Sequence, residues 1–298
     1  MKAPEFWYGE GGGLRSFLLA PAGWVYGAAG RLRFAFSSPW RASVPVICVG
    51  NLVTGGAGKT PVALSIGQRL ADQGREVHFL TRGHGGALKG PVKAEPGKHT
   101  VDEVGDEALL LARLAPTWVA GARPAGARAA IAGGAEVLVM DDGFQNPALF
   151  KDLSLIVIDG PAGLGNGRLI PAGPLREGLA VGLGRAQAVV MMGSDDRGME
   201  DRMAGRGPQL LRASLQADGA SERLAGRRVV GFAGIGRPAK FFATLGEIGC
   251  QVMECHEFSD HYRYDQRDLD HLAGRAAVLD AVLVTTAKDG VRLPPKAR

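Results

Sequence analysis

The stretch "VPVICVGNLVTGGAGKTPVAL", residues 44–64, decides how the chain is read. Its first part, "VPVICVG" (44–50), is a short apolar, β-branched run ending in glycine and reads as a buried strand. From Pro61 onward, Val62, Ile66 and Leu70 recur at helical spacing, and proline is tolerated in a first helical turn. Between the two lies Gly55-Gly56-Ala57-Gly58-Lys59-Thr60. Strand, glycine-rich turn and helix in that order are the setting a phosphate-binding loop requires. Glycines let backbone N–H groups turn inward, and the helix N-terminus adds favourable potential for an anion. The expected contacts run from Thr54 through Gly55, Gly56, Ala57 and Gly58 to Lys59, which would reach the β- and γ-phosphates. Thr60 would hold Mg2+ through its hydroxyl. One position departs from G-x-x-x-x-G-K-[ST]: Val53 stands where the first glycine belongs. Valine must take an ordinary backbone conformation there, so the loop is expected to enter by a different path. The plain alternative is a glycine-rich turn with a chance Lys-Thr.

Six further runs read as strands: 76–83, 136–143, 153–160, 186–193, 228–236 and 276–290. Strands alternating with helical stretches predict an α/β fold, a mostly parallel sheet with helices on both faces. Residues 194–226, rich in Gly, Asp, Arg and Ser, read as surface helix and loop. The predicted organisation is an N-terminal segment (1–40), a nucleotide-binding domain (41–150) and a second α/β domain (151–298), with a soft boundary at 150.

With 298 residues, 46% hydrophobic and 22% charged, the chain is long enough for one large or two ordinary cores and is not disordered in composition. The net charge of +5 comes mainly from arginine and suits phosphate, carboxylate or anionic membrane surfaces. No aromatic–basic interleaving points to nucleic acid. The three cysteines, Cys48, Cys250 and Cys255, make no disulfide framework and suit a reducing compartment.

Residues 14–36 hold an uncharged stretch from Ser16 to Gly30 flanked by Arg15, Arg31 and Arg33. It is shorter than the ~20 apolar residues a spanning helix needs. Trp24 and Tyr26, with arginines at the ends, suit a segment lying in a membrane interface. The bland alternative is an ordinary helix packed on the domain.

Two carboxylate groups accompany the loop. In "MDDGFQN" (140–146), Asp141 and Asp142 end a strand, at the edge where open α/β sheets bind ligands. Adjacent strand residues point to opposite faces, so one is expected to bind or orient Mg2+ and the other to hold the loop or the acceptor. Paired aspartates also commonly cap or turn a chain. In "VGDEALLLARL" (104–114), Asp106 reads either as a helix N-cap, with Glu107 in the first turn, or as a general base. No N-K-x-D signature follows strand 186–193, which favours ATP over GTP. Cys250, Cys255, His256 and His261 match no common zinc spacing, whereas a histidine behind an aspartate, as in Asp260-His261, can tune or relay a proton.

Taken together, "PVICVGNLVTGGAGKTP", "TRGHGG", "VGDEALLLA", "VLVMDDGFQN", "GLGNGRLIPAGPLRE", "AGIGRPAKFF", "FSDHYRY" and "TTAKDGVRL" resemble, in order and over most of the chain, the tetraacyldisaccharide 4'-kinase family of lipid A biosynthesis. That family's loop also lacks the first glycine. The resemblance implies two α/β domains and a peripheral attachment to the cytoplasmic face of the bacterial inner membrane. It implies ATP with Mg2+ as donor, the 4'-hydroxyl of an acylated glucosamine disaccharide 1-phosphate as acceptor, and no protein partner. By motif, Asp106 is the catalytic base and His261 its partner, which displaces the N-cap reading. Asp142 with Asp141 would organise Mg2+ and the γ-phosphate, and Glu107 would be a second carboxylate near the metal held by Thr60. Arg82, Arg123, Asn166 and Arg176 are candidates for the substrate's 1-phosphate or sugar. Three departures stand out: Ala287 where the family usually has glutamate, His84 where tyrosine is common, and a C-terminus soon after Pro294-Pro295.

Two rivals share these motifs. A P-loop enzyme acting on a soluble metabolite would not need the Trp24/Tyr26 segment, and a membrane-bound ATPase switch would hydrolyse ATP without an acceptor or Asp106.

Overall fold

The computed structural model describes residues 4–9, 13–205, 207–217 and 219–294. It divides into two compact units, the chain up to Leu215 and the chain from Gln216 onward.

The larger unit is built on eight strands: β1 (Val46–Gly50), β2 (Val77–Thr81), β3 (Val92–Ala94), β4 (Thr117–Val119), β5 (Val137–Asp141), β6 (Leu153–Asp159), β7 (Ala188–Met192) and β8 (Gln209–Ala213). Their order is β3-β4-β2-β5-β1-β6-β7-β8, and every pairing is parallel except β3 on β4. The boundary expected near residue 150 therefore falls inside this sheet. β1 pairs with β5 on one side and β6 on the other, so a cut at 150 would separate hydrogen-bonded neighbours. The division lies instead after Leu215, beyond the last strand.

Helices α1 (Gly13–Ala35), α2 (Lys59–Asp72), α3 (Val101–Val104), α4 (Asp106–Leu111), α5 (Arg123–Ala132), α6 (Leu179–Leu183) and α7 (Met199–Met203) complete the unit. Strand alternation sorts the core into two layers. Cys48, Leu138 and Met140 pack with Ala127 and Ala130 of α5 on one face. Val49, Val139 and Phe79 pack with Val62 and Ala63 of α2 on the other. Gly67 lets α2 approach the sheet, since a Cβ there would overlap the Phe79 ring.

Helix α1 packs in an unusual sense. Its buried residues are Ser16 and Gly23, and the Ser16 hydroxyl donates to the Ala172 carbonyl at 2.6 Å. Its large apolar side chains, among them Phe17, Leu18, Trp24 and Leu32, face outward and are exposed. Small residues thus face the protein while the bulky ones are left uncovered. Among the described residues no helix is long and apolar enough to cross a membrane.

The smaller unit carries β9 (Arg228–Ala233), β10 (Gln251–Glu257) and β11 (Val282–Thr285) as a parallel sheet of order β10-β9-β11. Helix α8 (Gly219–Glu222) precedes β9, α9 (Pro238–Glu247) and α10 (Gln266–Val278) join the strands, and α11 (Ala287–Gly290) follows β11. Asp265 caps α10 in a box with Asp268. A buried knot closes the unit: Asp289 pairs with Arg292 at 2.9 Å and accepts from the Tyr264 hydroxyl and the Gly234 N–H.

Three expectations change. The run 276–290 is not one strand: it spans the end of α10, then β11, then α11. The stretch 194–226 contains the edge strand β8, whose exposed residues give it no apolar run to be recognised by. The Cys/His stretch is largely strand β10, in which inward Glu254 pairs with Arg275 of α10 and with His256 at 3.1 Å, while Cys255 points outward.

Candidate functional site

The carboxyl ends of β1 and β5 lie side by side, with Val49 in register with Asp141. This register brings the loop after β1 against the two aspartates. The loop's entry is held as a short strand-like ribbon: Val53 bridges Leu175 in antiparallel fashion, Thr54 N–H donates to Pro174 O at 2.9 Å, and Arg176 N–H donates to Leu52 O at 2.7 Å. Extended backbone at that point accounts for Val53 in place of glycine. The turn itself uses positive φ at Gly55 (114°) and Gly58 (86°), and Gly58 opens α2.

Lys59 and Thr60, consecutive at the start of α2, each meet one aspartate. Thr60 Oγ1 donates to Asp141 Oδ2 at 2.8 Å. Lys59 Nζ lies 3.7 Å from Asp142 Oδ1, and Arg176 Nη1 donates to the same oxygen at 2.8 Å. The two carboxylates do not diverge to opposite faces, because Asp142 has already left the strand with φ 53°. Both turn toward the loop, with different partners.

Their electrostatics differ accordingly. Asp141 is fully buried, and its Oδ1 has no hydrogen-bond partner. Burial, followed by the charge of Glu107, pushes its carboxyl up to about 7. At Asp142 burial also works upward, but Lys59 and Arg176 outweigh it and hold the carboxyl below the usual range. Arg123, buried at the start of α5, is drawn down to about 10 by burial, against the charge of Asp142. Its Nη1 donates to the Ala120 carbonyl, and the exposed Arg82 lies near enough to act on it.

Asp106 is 1% exposed and begins α4, but Gly105, not Asp106, is the helix N-cap. Its Oδ1 accepts the N–H of Glu107 at 2.8 Å. Gly105 allows this placement, since a Cβ there would overlap the carbonyl of His84.

Asn166 is used differently from its expected role. Its amide donates to Phe6 O, Ser16 Oγ and Ala172 O at 3.0–3.1 Å, and its Oδ1 accepts Arg168 N–H. It ties the start of α1 to the 163–177 segment. His261 belongs to the smaller unit, on the turn after β10, with φ 59°. Its N–H donates to Gly234 O at 3.0 Å, and Arg292 lies 3.5 Å from its Nδ1.

Sequence reasoning passed over three residues that join the cluster. Gln145 Nε2 donates to Asn51 O at 2.8 Å and to Glu177 Oε1 at 2.9 Å, and Glu177 pairs with Arg185. Gln145 stands in "MDDGFQN" and Glu177 follows Arg176, so adjacency to a named motif was the available signal.

The donors suit a magnesium nucleotide. They are hard oxygens from Thr60, Asp141 and Glu107, with one buried carboxylate oxygen unpartnered. No cluster of three His, Cys, Asp or Glu able to hold an ion alone is found among the described residues.

Fold and site together define an α/β protein with a lysine, a threonine and two aspartates gathered at the carboxyl edge of its parallel strands, the edge at which open α/β sheets bind ligands. Residues 15–298 match the family described as Tetraacyldisaccharide-1-P 4'-kinase. The chain is 56% identical over 302 residues to the tetraacyldisaccharide 4'-kinase of Rhodospirillum centenum, covering 100% of this chain and 89% of that one. It is 53% identical over 298 residues to the corresponding protein of Gluconacetobacter diazotrophicus, covering 100% and 90%. The crystal structure of LpxK from Aquifex aeolicus in complex with ATP superposes with a TM-score of 0.73 at 29% identity, covering 95% of this chain and 91% of that one. The chain belongs to the tetraacyldisaccharide 4'-kinase family.

Proposed function

We propose that this chain transfers the γ-phosphoryl group of ATP to the 4'-hydroxyl of a tetraacyldisaccharide 1-phosphate, in lipid A synthesis, at the cytoplasmic face of the inner membrane. The observation that carries the reading is the pairing of Lys59 and Thr60 with Asp142 and Asp141 at one sheet edge. Residues Thr54 to Gly58 act as the phosphate loop, their inward N–H groups meeting the anion at the N-terminus of α2. Lys59, now 3.7 Å from Asp142, swings to the β- and γ-phosphates, which match its charge better than a carboxylate shared with Arg176. Thr60 and the carboxylates would hold Mg2+, with Asp141 beside Thr60 and Glu107 as the further acid. Bound there, the ion would neutralise charge developing on the transferred phosphoryl group. Asp142, clasped by Lys59 and Arg176, sets the place of Lys59.

Asp106 takes the proton from the acceptor hydroxyl, a role its buried carboxylate suits and for which positioned proton transfer typically contributes about 10²–10⁴-fold. The family motif assigns His261 as its partner. Arg123 and Arg82 offer bidentate cations to an anionic group of the substrate. Arg176 and Asn166 act from behind, one on Asp142 and the other on α1. The outward apolar face of α1, with Trp24 and Tyr26, lies in the lipid interface, which brings an acylated acceptor to the site.

The test mixes detergent-purified protein, Mg-ATP and the acylated disaccharide 1-phosphate, with Asp106→Ala alongside. Phosphate transfer that collapses in the variant supports the acceptor and the base. Transfer that persists in the variant returns Asp106 to a structural role at the start of α4. ATP hydrolysis indifferent to the lipid overturns the kinase reading.

A further inference from the structure

Arg185, just after α6, sits between two aromatic rings. Phe34 of the last turn of α1 lies 3.9 Å from its guanidinium carbon, and Phe144 of the aspartate loop lies 4.6 Å away. The guanidinium donates to Glu177 Oε2 and, at 3.5 Å, to the Phe144 carbonyl. Glu177 accepts from Gln145, whose Oε1 lies 3.5 Å from Arg176 Nη1. Arg176 makes its shorter bond, 2.8 Å, to Asp142, which faces Lys59. A continuous run of contacts thus leads from α1 to the Lys59 ammonium.

The charges along this run compete. Glu177 is only 14% exposed, so its carboxylate needs a cation. Two arginines stand within the network, Arg185 directly on Glu177 and Arg176 one amide away. With Arg185 in place, Glu177 is satisfied and Arg176 is left to Asp142. Without it, the under-paired carboxylate draws Arg176 across Gln145 and off Asp142. A planar guanidinium stacked between two rings is fixed in tilt, so the aim of Arg185 at Glu177 depends on where Phe34 stands.

We propose that Arg185, set by Phe34 of α1, is a positioning residue that keeps Arg176 on Asp142 by neutralising Glu177, so that the seating of α1 is felt at the Lys59–Asp142 pair. The proposal rests on the nucleotide-handling reading of that pair given above.

The test uses the full chain with R185A, R185K, F34A, F34A/R185A and R185A/E177Q. The first readout needs neither nucleotide nor acceptor: crystal structures of wild type and variants, read for the Arg176 Nη1–Asp142 Oδ1 contact, 2.8 Å in the unaltered chain. In R185A Arg176 is expected to leave Asp142 for Glu177, and E177Q in that background to return it. The second readout is kcat for phosphate transfer. R185A is expected to lower it by about ten- to a hundredfold, the scale of a misplaced reacting group. F34A/R185A should lose no more than R185A alone, because both act through one contact. Removing the stranded carboxylate with E177Q should restore R185A by about threefold or more. R185K, which keeps the charge without the planar stack, should fall between wild type and R185A. An Arg176–Asp142 contact that R185A leaves intact, additive losses for Phe34 and Arg185, or no recovery with E177Q overturns the proposal. If wild type transfers no phosphate to the lipid, the kinase reading falls, while the Arg176–Asp142 contact in R185A still decides the role of Arg185.

Discussion

Replacing Asp141 by asparagine changes the electrostatics of the site while keeping its shape. In the nucleotide-free protein the Asp141 carboxyl is pushed up from 3.8 to about 7, by burial and then by Glu107. In the unfolded chain it titrates near its ordinary value, about 3.9. Between about pH 4 and pH 7 the folded state therefore holds a proton that the unfolded state has released. More protons bound in the folded state means that stability falls as pH rises through this window, with the full penalty present above it. The interval from 3.8 to about 7 is roughly three pH units, and at about 1.36 kcal/mol each it sets a ceiling near 4 kcal/mol. Asparagine stays neutral throughout and keeps an oxygen for the Thr60 hydroxyl. Near pH 4.5 the two proteins should unfold at similar urea concentrations; near pH 8 the variant should be the more stable, by about 1–4 kcal/mol. Tryptophan fluorescence follows this cleanly, because Trp7, Trp24, Trp40 and Trp118 all lie in the unit that ends at Leu215. Mg-ATP should flatten the wild-type slope, since a bound divalent cation favours the ionised carboxylate. Parallel pH curves for the two proteins, or a variant that is weaker near pH 8, would refute the reasoning.

Thr60→Val removes the hydroxyl from Asp141, and Mg-ATP binding, measured by calorimetry, should weaken about tenfold or more while melting without nucleotide shifts by under ~2 kcal/mol. Asp289→Ala strands the buried Arg292 and should cost about 3–5 kcal/mol. It should unfold the smaller unit in far-UV circular dichroism before tryptophan fluorescence changes. Gly67→Ala drives a methyl into the Phe79 ring and should lower stability by about 1–3 kcal/mol in a urea titration. Exchanging Trp24 and Leu18 for serine should reduce flotation with anionic vesicles several-fold and leave ATP binding in solution unchanged.

Strands β1, β5, β6 and β7 were legible because they are buried on both faces and read as unbroken apolar runs. β3 and β4 have three residues each, too few to show a period. β10 hid because its inward positions include Glu254 and His256, which pair with each other while Glu254 also takes Arg275, rather than packing against apolar groups. In the site, Lys59, Thr60 and the two aspartates announce themselves by local spacing. The partition of the aspartates does not: it depends on the positive φ of Asp142 and on Arg176, 34 residues away. Asn166 shows the limit of motif transfer, since its four hydrogen bonds are visible only once Phe6, Ser16 and Ala172 are gathered around it.

The ribbon joining Leu52–Thr54 to Pro174–Arg176 spans 120 positions between Thr54 and Pro174. A ribosome makes the two halves far apart in time. The glycine turn and Lys59 emerge early, yet the partner that holds the turn's entry arrives only after β6 has been synthesised. A nascent chain that stops short of Arg176 has the residues of the loop without its clamp, and it also lacks the cation that faces Asp142. The entry to the glycine turn is thereby completed only once most of the larger unit has been translated.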